Sequence, residues 1–468
     1  MKSHECFYDR QPGARWLALA SICIAVFLIP QSMSSVNIAL PAIADALQAD
    51  AVLVSWIPAA NLWGSIVLML PAGRLADMIG RKRIYLVGVV GYALASLLVV
   101  VVNSVEMLLL VRVLQGLSSG LVFGTGMAIV ATIFSDKNRG MALGFTATSV
   151  YLGLTCGPLI GGWLTEHVSW RGVFWAPVPL ALVAIILVVI YVRDDHKPRS
   201  ESSGQLDWPG SLLFILMVTA LLYGLSNVTT LLGGLIFGVG CLLLIGFIKQ
   251  QNRAEYPLIR INVLAKNRVF NRSLLASFFM YSGNYPILFL LSLYLQYLQG
   301  LSPSESGQLI LIQALMMAIL APLAGKMSDR FEPRLIATAG CLLFFAGFAV
   351  LVFLDAESSL NLIILALVFL GVGFGLFSSP NNNAAMGSVA KDRLSIASAL
   401  LNLARTAGNM FSMAIVVLLV NVMLGANQIE PQQYPQLLQV IRIGMVIACG
   451  YTLLAAYFSY TRGNVRKG

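Results

Sequence analysis

Apolar stretches of about 20 residues recur along this chain, and a helix of that length is what a ~30 Å hydrocarbon core requires. Fourteen are legible, at 16–40, 52–72, 84–102, 107–132, 140–163, 172–192, 209–226, 230–248, 270–297, 305–325, 334–354, 360–388, 394–424 and 437–460. A backbone in lipid must satisfy its own hydrogen bonds, so each run is expected to be a helix. Only 11% of the 468 residues are charged, against about a quarter in soluble domains. That excludes a string of soluble domains and predicts an all-α polytopic membrane protein. The seventh and eighth runs are the least sharply separated, by GLSNVTTLLGG. The first run follows Arg15, exceeds a signal-peptide core and leads into further spans, so it is expected to stay as an anchor.

The basic residues then set an orientation. With an even number of crossings both termini lie on one side. Of the 30 Lys and Arg, all but Arg112, Arg171, Arg405 and Arg442 fall on that side, which the positive-inside rule makes cytoplasmic. Topology thus accounts for the net charge of +10; the bilayer is the expected partner, and nucleic acid is not. The six cysteines show no CxxC or Cys/His spacing, so neither a disulfide framework nor a metal site is expected. There is no P-loop, and His4, His167 and His196 lie outside the spans, so neither an enzyme nor a bound cofactor is expected.

Two long polar segments, 193–208 and 249–272, bracket the seventh and eighth spans and leave six spans on either side. GRLADMIGRKR (Gly73–Arg83) and GKMSDRFEPR (Gly325–Arg334) join the second and third spans of each set, with Gly, then Asp four residues on, then Arg. The organisation expected is an N-terminal six-helix bundle over 1–200, a linker with two extra transmembrane helices over 201–268, and a C-terminal six-helix bundle over 269–468. Two repeated bundles around a cavity suit a transporter.

Further landmarks follow in order. LLLVRVLQG (Leu108–Gly116) lies in span four and GLTCGPLIGG (Gly153–Gly162) in span five, and SVNIALP, SWRGVFWAPVP, QLDWPG, YLQGLSPSESG and NLARTAG take their places along the chain. With the Gly73–Arg83 loop, these resemble the major facilitator superfamily and, within it, the fourteen-helix drug:proton antiporter family. The resemblance covers nearly the whole chain and implies alternating access and export. It also implies a cytoplasmic gate formed by Gly73, Arg74, Asp77, Gly80, Arg81 and Arg83, with Asp329 and Arg330 as the second-half equivalent. A carboxylate among guanidiniums can pair in one conformation and part in another.

In span five Gly153, Gly157 and Gly161 repeat every four residues, with Gly162 adjacent. Such a stripe lets another helix approach backbone to backbone, and Pro158 removes one helical hydrogen bond. Charges inside the membrane are expensive unless paired or wetted. Arg112, with Gln115 one turn on, lies inside one end of span four. Arg405 lies far enough beyond Lys391–Arg393, at ~1.5 Å per residue, to sit near mid-membrane. Both are expected to organise a cavity. Ser32, Ser35 and Asn37 of span one, Asn61 of span two, Tyr281 and Asn284 of span nine and Gln313 of span ten would complete it. Hydrogen bonding between helices is the competing role for each.

No Asp or Glu falls mid-span. The family it resembles carries an Asp in the first helix just before the Val-Asn-x-Ala-Leu-Pro segment; here Ser32 stands in that place, and a hydroxyl does not titrate near neutral pH. Pro177 replaces an Asn that follows the family's Trp-Arg segment. Two cavity cations without an acid favour neutral or anionic amphipathic substrates and leave protons as an open coupling partner. The expectation is an exporter of small amphipathic compounds in the bacterial inner membrane. The alternatives are a facilitator or exporter of organic anions without proton coupling, and a non-transporting sensor of the same fold. A periplasmic adaptor would be a partner only in a cell with two membranes, and the short outer loops offer it no docking domain.

Overall fold

The structure, a computed structural model, describes residues 12–134, 136–193, 206–255, 257–259, 267–390 and 394–464. Fourteen long helices fill the described residues, one per apolar run. The first seven are α1 (Pro12–Leu47), α2 (Ala51–Ile79), α3 (Arg81–Leu98), α4 (Val105–Ile133), α5 (Asp136–His167), α6 (Val178–Tyr191) and α7 (Trp208–Ser226). They are followed by α8 (Leu231–Arg253), α9 (Arg268–Leu293), α10 (Pro303–Arg330), α11 (Pro333–Val352), α12 (Leu360–Gly387), α13 (Leu394–Met423) and α14 (Tyr434–Thr461). Among the described residues thirteen helical segments are long and apolar enough to cross a membrane. The remaining helix, α5, has 32 residues, and several of its side chains near the start lie outside the described residues. Helix α1 outruns its apolar core because the alanine-rich PAIADAL carries good helix formers on to Leu47.

Local chemistry explains the ends. The Asp50 carboxylate caps α2 by accepting from Leu53 N at 2.8 Å, and Ser302 with Glu305 forms a capping box on α10. Gly80 alone separates α2 from α3, at φ 116°, a conformation glycine reaches without a Cβ clash.

Packing repeats between the first six helices and the last six. Helix α1 lies on α5 and α6, α2 on α4, and α3 on α4 and α6; likewise α9 lies on α13 and α14, α10 on α12, and α11 on α12 and α14. The same correspondence shows in side-chain caps. Arg171, just before α6, donates to Val102 O at 2.7 Å past the end of α3. Arg442 of α14 donates to Leu354 O at 2.6 Å past the end of α11. A cation there compensates unpaired carbonyls and the helix dipole, which gives a place to two of the four cations that stand apart from the basic loops.

The two sets meet along α2–α13, α5–α10 and α1–α9. We call the end carrying the α2–α3 and α10–α11 corners the basic face. At the opposite end the seam is bridged by Ala51 N to Asn427 O at 2.9 Å, Gln428 Nε2 to Gln48 Oε1 at 3.1 Å, Gln296 Nε2 to Ile38 O at 2.9 Å and Ser304 N to the Glu166 carboxylate at 3.0 Å.

Helix α7 touches both sets, through Trp63 Nε1 to Thr219 Oγ1 at 2.9 Å and Ser226 Oγ to Ala414 O at 3.4 Å. Helix α8 packs on α7 and turns Leu231, Leu235, Leu242 and Ile245 outward. At the base of this hairpin Asp207 is only 8% exposed. It caps Gly210 N at 2.8 Å and accepts from Gln251 Nε2 at 2.8 Å, while Gln251 Oε1 accepts from Ile259 N at 3.0 Å. This acid at the end of a span is therefore a buried clasp that joins both connecting segments to the hairpin.

Candidate functional site

The polar stretch of α1 is divided between packing and the seam. Inside α5, Pro158 has no N–H to give to Leu154 O four residues back. Ser34 Oγ donates to that carbonyl at 3.3 Å, Ser35 Oγ donates to Gly157 O at 2.7 Å, and Gln31 Nε2 donates to Ser35 Oγ at 2.9 Å. The glycine stripe permits the approach. A Cβ on Gly161 would lie 2.6 Å from Ser35 Cα, and one on Gly157 would lie 2.8 Å from Gln31 O, while Gly153 faces Phe27 O. Ser35, expected to face a cavity, thus joins two helices. Another side of α5 meets α10 across the seam: Gly162 lies against Pro303, Gly307 against Pro158, and Thr155 Oγ1 donates to Ala314 O at 3.3 Å.

Helix α9 gathers the two membrane arginines. Tyr281 and Tyr285 are one turn apart and so share a face. The Arg405 guanidinium of α13 lies over the Tyr281 ring, 5.2 Å from its centroid. It donates to Asn382 and to Asn402 at 3.5 Å. Tyr151 of α5 lies beside Tyr281 and shares a hydrogen bond with Ser378 of α12. Arg112 is 0% exposed. Its Nε donates to Ile57 O at 3.2 Å, its Nη1 donates to Gln115 Oε1 at 2.9 Å, and the guanidinium faces Phe174 at 5.9 Å. Tyr92 and Tyr285 are its electrostatic neighbours. Neither arginine has a carboxylate partner among the described residues. A desolvated guanidinium without a counter-charge favours any anionic or strongly accepting group that reaches it.

The other expected residues sit close by. Gln313 Nε2 donates to Asn284 Oδ1 at 2.9 Å, linking α10 to α9. Asn61 Nδ2 donates to Arg112 O at 3.3 Å, so its amide serves the α2–α4 contact. Gln115 Nε2 donates to Ser96 Oγ at 2.9 Å. Ser32 and Asn37 are wholly buried, and their side-chain polar atoms have no partner.

A family model for the Major Facilitator Superfamily matches residues 22–413. The chain belongs to the major facilitator superfamily. It is a many-span membrane transporter rather than an enzyme. It is 31% identical to the riboflavin transporter RibZ of Clostridioides difficile, over 80% of this chain and 81% of that protein. It is 29% identical to the multidrug resistance protein Stp of Mycobacterium tuberculosis, over 86% of this chain and 75% of that one. Among solved structures, a bacterial homologue of the human lysosomal transporter Spinster, in an inward-facing, unoccupied conformation, superposes with a TM-score of 0.67 at 17% identity, covering 96% of this chain and 97% of the other. That likeness is one of fold.

In this major facilitator chain the Gly73–Arg83 stretch forms a closed corner. Arg81 binds the Asp77 carboxylate, 2.9 Å from Nη2 and 3.2 Å from Nε, and reaches Ala128 O of α4 at 3.5 Å. These contacts stay within the first six helices. A Cβ added at Gly73 would lie 3.6 Å from Gly124 O, Arg74 is half-buried, and Arg83 and Arg330 are exposed. Asp329 lies in the last turn of α10, and its side chain lies outside the described residues.

Arg462, counted with the basic loops from sequence, is instead 0% exposed. Its Nη1 donates to Asn381 Oδ1 at 2.8 Å, and Asn381 Nδ2 donates to Ser277 Oγ at 2.8 Å. Helix α14 ends at Thr461 and sets the next residue between α9 and α12. An arginine after an apolar run reads as solvated, and only this three-helix contact buries it. Tyr151 gave no signal for a similar reason: one tyrosine in an apolar run stands out only once its neighbours are known.

Proposed function

We propose that this protein exports small amphipathic compounds bearing an anionic or strongly hydrogen-bond-accepting group, by alternating access between six-helix bundles over 1–200 and 269–468. The 201–268 hairpin braces the seam between them. One observation carries most weight: Arg405 and Arg112 approach one face of α9, about 6 Å apart along its axis, each beside a tyrosine and neither paired with a carboxylate. Relatives named for riboflavin transport and multidrug resistance support an organic cargo. The basic loops put both termini in the cytoplasm of a bacterial inner membrane. The Asp77–Arg81 corner and its Asp329–Arg330 counterpart act as the gate on that side.

Reconstitution into proteoliposomes, comparing anionic, neutral and dicationic amphiphiles of matched size under an imposed pH gradient, tests this. Export of the anionic or neutral compound that falls at least tenfold in Arg405→Ala is expected. Strong export of the dication, unaffected by Arg405→Ala, would overturn it. A second reading, a facilitator of organic anions without proton coupling, is favoured by one feature: no Asp or Glu lies in the middle of a helix among the described residues. Flux independent of the pH gradient would select it.

A further inference from the structure

Six buried polar atoms without a partner gather around Arg112. Arg112 Nη2, Tyr92 OH, Tyr285 OH, Ser32 Oγ and both polar atoms of the Asn37 amide are all in this state. Every one of these side chains is less than a tenth exposed. Tyr92 lies beside Ser32, and Tyr285 lies beside Asn37, yet neither pair meets hydrogen-bond geometry. They come from α1, α3 and α4 on one side of the seam and α9 on the other.

Unmet hydrogen-bonding groups of this kind each cost about 1–3 kcal/mol when buried, and a guanidinium cannot escape by losing its proton. The set is rich in donors: one guanidinium nitrogen, one amide nitrogen and three hydroxyls around a single positive charge. Water could meet the hydrogen bonds but would leave the charge. One monovalent anion meets both.

We propose that Arg112, Tyr285, Asn37, Tyr92 and Ser32 form a binding site for one small monovalent anion, a halide or a carboxylate group, in the seam between α9 and the α1–α3–α4 cluster. The site lies one helical turn along α9 from Arg405, so it adds a second ligand position to the transporter reading and rests on that reading only for its consequence in transport. Tyr285 comes from the opposite side of the seam to the other four residues. Occupancy therefore ties α9 to α1, α3 and α4, and parting of the seam removes one donor from the anion.

Purified full-length protein in lipid nanodiscs, without cargo or gradient, is titrated with chloride or with acetate against gluconate at constant ionic strength. The unfolding temperature is followed. A saturable rise in Tm is expected. Chloride alone giving the rise assigns the site to a halide, acetate alone assigns it to the carboxylate of a cargo, and either supports the site. Tyr285→Phe keeps the ring and is expected to raise the half-saturating concentration roughly tenfold, and Arg112→Gln to abolish saturation. No saturable rise with either anion, or the same curve in Tyr285→Phe, overturns the proposal. Export that persists alongside a flat titration removes this site while leaving the transporter reading in place. A saturating titration in a protein that exports nothing does the reverse.

Discussion

At the scale of single residues, Arg405 and Arg462 differ in what they touch. Arg405 is half-buried, lies over a ring and holds two amides. Arg405→Ala should cut initial transport rates at least tenfold at matched expression. Arg405→Lys should recover only part, because an ammonium lacks the planar fork. Arg462 depends on Asn381, so Asn381→Ala should lower stability by about 3 kcal/mol, read as a fall in Tm. Ser32→Ala, by contrast, removes a buried hydroxyl that has no hydrogen bond, and stability should rise by about 1 kcal/mol, read as a higher Tm.

Among elements, α5 is the most constrained by its neighbours. One side receives the serines of α1, another receives α10, and Pro158 frees a carbonyl that Ser34 takes up. Gly161→Val should force α1 and α5 apart, costing about 1–3 kcal/mol in overpacking and slowing transport. Gly144→Ala is the control on the same helix, since nothing lies within 4 Å of the added methyl; its transport rate should match wild type. Equal rates for the two variants would show that close α1–α5 approach does not limit the cycle.

For the whole molecule, the bridged end of the seam is the decisive feature. Ala51 N and Asn427 O are 2.9 Å apart, which brings the two residues near the separation a disulfide spans. Ala51→Cys with Asn427→Cys should cross-link under oxidation, stop export and recover on reduction. Undiminished export by the fully cross-linked protein would rule out alternating access through that end.

The helix count, the two-fold repeat in the GRLADMIGRKR and GKMSDRFEPR corners and the unusual Arg112 and Arg405 were all legible in the sequence. Lipid forces length and apolarity on each span, and charge inside a span stands out against them. Contacts between helices have no such local signature. That Ser35 serves α5, that Asp207 and Arg462 are buried, and that Tyr281 and Tyr285 each meet an arginine depends on which helices lie together and how each is rotated. Only the packed fold sets those rotations, because a helix buried on several sides has no single apolar stripe from which to read them.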